Sequence, residues 1–86
     1  MKKYYHIWTD IDLRDTYGFK AVYTECDQEG VVAREIGIDL HGKVIYRLPP
    51  QMLDRQRGIF EFMRVDLGQV KENLTAEEFE AAWSDV

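Results

Sequence analysis

The side chains able to carry covalent chemistry are few: one cysteine, Cys26, two histidines, His6 and His41, and one serine, Ser84. A serine nucleophile needs a base held against it, and Ser84 sits close to the C-terminal end of the sequence with no partner in view. Cys26 and a histidine would make a thiol–imidazole pair only within hydrogen-bond reach. His41 falls in a hairpin loop and Cys26 borders the turn at the other end of the same ribbon, so a strand's length separates them; His6 stays open as an alternative. A lone cysteine permits no intramolecular disulfide and no cysteine-based zinc site. Asp10, Asp12 and Asp15 invite a calcium reading, but the bend glycine and terminal glutamate of a calcium loop are missing at that spacing. A solvated acidic loop is expected instead. No phosphate-cradling glycine motif occurs, and nothing places two carboxylates in a shared pocket. Arg55, Arg57 and Arg64 form a local basic patch that offsets neighbouring acids. No catalytic residue, cofactor or metal is expected.

Those residues sit in a chain of 86, which is one domain, 1–86, with one modest core. At 45% hydrophobic and 31% charged it has the composition of an ordinary globular protein. Sixteen acids face eleven lysines and arginines, for a net charge of −5. That balance disfavours nonspecific nucleic-acid binding, which needs a basic face, and disfavours anionic membranes. It suits a basic protein partner. The opening MKKYYHIWTDID has no apolar run after its lysines, so no signal peptide is expected. No stretch approaches the ~20 apolar residues that cross a bilayer, and a cytoplasmic location is expected.

Tyr4 to Thr9 is aromatic and β-branched and reads as a strand. Asp10 to Gly18 reads as a polar loop. From Phe19 to Leu48 the chain alternates, punctuated by turns at Asp27–Gly30 and at Leu40–Gly42. A three-residue loop at Leu40–Gly42, with Gly42 left-handed, puts Asp39 opposite Lys43, Ile38 opposite Val44, Ile36 opposite Tyr46 and Glu35 opposite Arg47. A two-residue turn would mix charged and apolar faces. A four-residue loop at Asp27–Gly30 puts Ala21 opposite Ile36 and Phe19 opposite Ile38. The centre is therefore expected to be an antiparallel meander with one buried face. Arg34 interrupts the apolar row of Val32, Ile36 and Ile38; its stem is expected to pack while its head reaches an acid or solvent.

After Pro49-Pro50 the pattern weakens. Gln51 to Arg57 is compatible with one or two helical turns, and Ile59 to Leu67 with another strand. The last segment is plainer. Thr75 and Glu78 form a capping box, and Leu74 and Phe79 the hydrophobic staple around it. Phe79, Ala82 and Trp83 then share one helical face. So short a helix must dock to persist, and the apolar side of the sheet is the surface for it. The fold class is α+β: an antiparallel sheet of three to five strands with a C-terminal helix packed on one face.

The run ECDQEGVVAREIGIDLHGKVIYRLP, with Trp8 before it and LTAEEFEAAW after it, resembles a widespread bacterial domain family of unknown function across roughly three quarters of the chain. Such domains look like the immunity proteins of polymorphic bacterial toxin systems, which bind and block a toxin. The resemblance implies a noncatalytic protein-binding domain and transfers no catalytic residue; the stretch Gln51 to Val70 departs from it. An acidic inhibitor would cover the basic cleft of a toxin. The residues expected to bind the partner are Asp10, Asp12 and Asp15 in the first loop, Glu25, Asp27 and Glu29 at the second turn, and Tyr17 as an aromatic anchor. The alternatives are a small ligand-binding domain or enzyme using Cys26 or a carboxylate, and an accessory domain that forms a homodimer through a strand edge.

Overall fold

Two aspartates close the turns of the central ribbon. Asp27 Oδ1 accepts from the amides of Glu29 and Val31 at 2.8 and 3.0 Å. Asp39 Oδ1 accepts from those of His41 and Lys43, both at 2.9 Å. A short acceptor side chain that bonds the backbone two residues on is what favours Asp at such positions. Gly30 and Gly42 complete the turns at φ 86° and 83°, the left-handed region that only glycine enters without strain.

The computed structural model describes residues 2–9, 11–48 and 64–84. The elements are β1 (Tyr4–Trp8), α1 (Ile11–Tyr17), β2 (Phe19–Cys26), β3 (Val32–Asp39), β4 (Val44–Leu48), a 3-10 turn (Leu67–Gln69) and α2 (Ala76–Ser84). The four strands form one antiparallel sheet in the order β1-β2-β3-β4. With α2 this is the expected α+β arrangement.

The register departs from expectation in two ways. Beside the second hairpin Ile38 faces Val44, and the Asp39 amide donates to the Lys43 carbonyl at 2.9 Å, both as expected. A bulge then intervenes, with Ile45 as the extra residue, and Gly37 faces Tyr46, Ile36 faces Arg47 and Glu35 faces Leu48. The expected pairs Ile36–Tyr46 and Glu35–Arg47 are thus replaced. Between β2 and β3 the pairing lies two residues from the expected one: Ala21 faces Ile38 and Tyr23 faces Ile36. A slip of two keeps a side chain on its own face, and Ala21, Tyr23, Ile36 and Ile38 share one face as expected. Register shifts at Phe19/Ala21 and Glu25/Cys26 break the slip at both ends, and Phe19, expected on that same face, packs on the other.

Both faces of the sheet are covered, not one. On the first, Ala21, Ile36 and Ile38 pack with Leu74 and Phe79, flanked by Tyr5, Ile7, Tyr23, Val44, Ala82 and Trp83. This is the surface on which α2 docks. On the second, Trp8, Leu13 and Val22 are buried together, with Phe19, Val65 and Val70 against them. Leu13 comes from the segment expected to be a loop. Ile11–Tyr17 is a short helix instead, held down by Leu13 and ended by Gly18 at φ 73°, whose amide bonds the Arg14 carbonyl at 3.0 Å.

The capping box is formed as expected. The Glu78 amide donates to Thr75 Oγ1 at 3.0 Å, and the Thr75 amide to Glu78 Oε1 at 2.9 Å. Thr75→Ala removes one side of this exchange and should lower stability by about 1 kcal/mol, read as a shift in urea midpoint with unchanged slope. The expected helical turns at Gln51 to Arg57 lie outside the described residues, as does most of the expected strand at Ile59 to Leu67. What is described there is a bridge between Val31 and Arg64, with the Val65 amide on the Gly30 carbonyl at 2.7 Å, and Leu67 opening the 3-10 turn. A β-carbon on Gly30 would sit 2.3 Å from the Val65 carbonyl oxygen, so glycine is needed there for close approach as well as for φ.

Candidate functional site

Among the described residues, those expected to bind a partner lie toward opposite ends of β2. Asp12 and Tyr17 lie on α1, as does Asp15, which is exposed and 3.9 Å from Arg14. Asp10 lies outside the described residues. Asp27 and Glu29 occupy the β2–β3 turn; Asp27 spends its carboxylate on that turn, while Glu29 is exposed with Arg64 3.9 Å away. Alpha-1 leads into the start of β2 and the turn follows its end. Eight strand residues separate them, about 23 Å at the usual rise.

Glu25 needs a correction. It was expected among the exposed acids, but it is 2% exposed on the face that α2 covers. The reason is its place opposite Arg34 in the ladder. Arg34 Nε donates to Glu25 Oε1 at 2.7 Å and Nη2 to Oε2 at 2.6 Å, a two-pronged clamp. Tyr5 Oη donates to the same Oε2 at 2.7 Å, and Lys3 Nζ stands 3.9 Å off. Arg34 also donates to both oxygens of Glu80 on α2. Its guanidinium lies 4.8 Å from the Phe79 ring centre and 4.9 Å from that of Trp83, where ring quadrupoles attract cations. The head of Arg34 thus reaches an acid, as expected, and ties helix to sheet.

The electrostatics follow from this geometry. Burial alone would push the Glu25 carboxyl up; the hydrogen bonds from Arg34 and Tyr5 and the charges of Arg34 and Lys3 together outweigh it, and the carboxyl titrates below its ordinary value. Burial, then the bond to Glu25 and its charge, push the Tyr5 hydroxyl up to about 12. The bonds to Glu25 and Glu80 hold Arg34 still more firmly protonated than usual.

On the other face, Trp8 Nε1 donates to Thr24 Oγ1 at 2.8 Å, and Tyr46 Oη donates to buried Glu35. Cys26 is 1% exposed, and burial, with the nearby charges of Asp27 and Glu25, pushes its thiol up. Among the described residues no group of three His, Cys, Asp or Glu is arranged to hold a metal ion, and no helix is long and apolar enough to cross a membrane.

A cleft of about 330 Å³ opens at the β1 edge, lined by His6, Ile7, Trp8, Thr9, Gln69, Lys71 and Asn73. His6 is buried there with its ring edge-on to Trp8, and its Nδ1 accepts from the Lys71 amide at 3.0 Å. Nothing in residues 69–73 flags this cleft in the sequence, because each of these contacts has a main-chain group on one side. Compared with known proteins, the chain matches no family model, no curated protein and no solved structure.

Proposed function

We propose that the chain is a noncatalytic protein-binding domain, an inhibitor of the immunity type that blocks a basic toxin domain by contact. One observation carries this reading: the buried carboxylates Glu25 and Glu35 are engaged in structural hydrogen bonds. Arg34 and Tyr5 both donate to Glu25, and Tyr46 donates to Glu35. A reacting group needs a tuned and accessible position, and these groups are committed to holding strands and helix together. Exposed acids, among them Asp15, Glu29 and Glu77, give an acidic exterior on a chain of net charge −5. Such a surface speeds encounter with a basic partner.

The test is co-expression with the toxin-like protein encoded beside it in the source genome. A complex and protection of the host cell are the expected results. Charge reversal at Asp15 and Glu29 together should slow association by roughly tenfold at low salt and by less at high salt. Neither complex nor protection would end the reading.

A rival reading makes Cys26 a nucleophile, since it is the one thiol in the chain. The thiolate is the reactive form, and burial works against both access and ionisation here. A thiol reagent should therefore modify folded protein at least about tenfold more slowly than urea-unfolded protein. Equal rates would favour the nucleophile.

A further inference from the structure

The β1 edge carries a second kind of surface, apart from the acidic one used above. Ile7 turns both main-chain polar groups outward, and both are met by one side chain. Asn73 Oδ1 accepts from the Ile7 amide at 2.8 Å, and Asn73 Nδ2 donates to the Ile7 carbonyl at 3.3 Å. A residue on a neighbouring antiparallel strand would exchange the same two bonds. Asn73 therefore occupies one rung of a ladder, and among the described residues no strand lies beyond β1. Backbone alternation turns the main-chain groups of Tyr5 the same way as those of Ile7.

The charges along this edge differ in sign from the chain as a whole. Lys2, Lys3 and Lys71 are exposed, with Glu72 the one acid in residues 69–73; Glu25, the nearest buried carboxylate to Lys3, is already clamped by Arg34. Lysines on a strand edge discourage pairing with an identical edge, because two copies would bring like charges together. They favour an acidic strand. The cleft lined by Thr9, Gln69 and Lys71 leaves room beside the backbone for its side chains.

We propose that the β1 edge docks an extended acidic segment of another protein, which adds as a further strand and displaces the Asn73 amide from Ile7. Main-chain bonds supply the affinity in this mode and the flanking charges the preference.

A fluorescein-labelled peptide of alternating glutamate and threonine is the probe, and the same peptide with a central proline is the control. Wild-type protein should bind the first and not the second. Asn73→Ala frees the Ile7 groups and should tighten binding by roughly fivefold, the worth of about one hydrogen bond. Lys71→Glu, at an exposed side chain whose amide still bonds His6, should weaken it by a similar factor and serves if Asn73→Ala does not fold. Hydrogen exchange should show new protection at the Tyr5 amide when peptide is bound. The proposal is overturned by equal binding of the proline control, by protection appearing elsewhere than β1, or by no binding to any of the three proteins. A dimer of Asn73→Ala formed without peptide would make a second copy the occupant and overturn it too. Toxin inhibition does not enter these readouts, so this proposal and the proposed function fail separately.

Discussion

Replacing Arg34 with alanine should lower the unfolding free energy by about 3–5 kcal/mol, the usual result of stripping one partner from a buried ion pair. The Arg34 side chain is 21% exposed, but the Glu25 side chain it clamps is at 2%, and that carboxylate bears the cost. In Arg34→Ala, Glu25 keeps only the Tyr5 hydroxyl at hydrogen-bond distance. Phe79 and Trp83 lose the cation between helix and sheet. A domain of this size has ~5–15 kcal/mol in hand, so a large share of its stability goes. Changing both partners to methionine should recover much of the loss, because an apolar pair of similar size needs no compensating charge.

The pH dependence gives the sign. In the wild type the folded-state pKa of Glu25 lies below its unfolded value. Its ionic pairing therefore stabilises fully above the unfolded value, about 4.3, and that stability is lost as pH falls through the folded value. Without Arg34, burial dominates and the carboxyl moves up, so the variant gains relative stability once the group takes a proton. The gap between the two proteins should be widest near pH 7 and should narrow toward pH 4. Urea titrations at both pH values measure it. A gap below about 1 kcal/mol at pH 7, or one that does not change with pH, would show that the network is an ordinary surface pair.

Register explains why this network was only half legible. Alternation alone assigned Ala21, Tyr23, Ile36 and Ile38 to one face, and they share it. Alternation cannot tell one register from another shifted by two residues. The expected pairing set Tyr23 opposite Arg34; the observed one sets Glu25 there. Both keep the faces clean, but only the second gives a cation in an apolar row an opposite charge across the ladder. That requirement was available in the sequence and would have separated the two. The capping box at Thr75 was legible because all its partners lie within four residues. The second core was not, because Trp8, Leu13 and Val22 come from three elements with no common period. Helix α1 hid for a related reason: the seven residues Ile11–Tyr17 include two aspartates and a threonine, which are weak helix formers, and its formation rests on tertiary packing of Leu13.

Gly37 hid in the same way, as an unremarked strand residue, and its replacement is the second large effect. A β-carbon there would lie 2.0 Å from Cε2 and 2.4 Å from Cδ2 of Tyr46, so Gly37→Ala cannot coexist with the ring in its place. The bulge at Ile45 sets Tyr46 opposite Gly37; without it the ring would face Ile36. The ring has little room to yield. It is 4% exposed, its centre is 5.7 Å from that of Phe19, and its hydroxyl donates to Glu35, itself 1% exposed. Overpacking costs ~1–3 kcal/mol, and leaving a buried polar group short of its hydrogen bond adds ~1–3. Gly37→Ala should thus cost about 3–5 kcal/mol. Tyr46→Phe, which keeps the ring and removes only the hydroxyl, should cost the smaller second part alone. The decisive comparison is Gly37→Ala made in a Tyr46→Ala background, where no ring opposes the new methyl. There its cost should fall below about 1 kcal/mol, a strong departure from additivity between touching residues. An equal cost in both backgrounds would mean that the strand backbone, and not the ring lying over it, is what requires glycine.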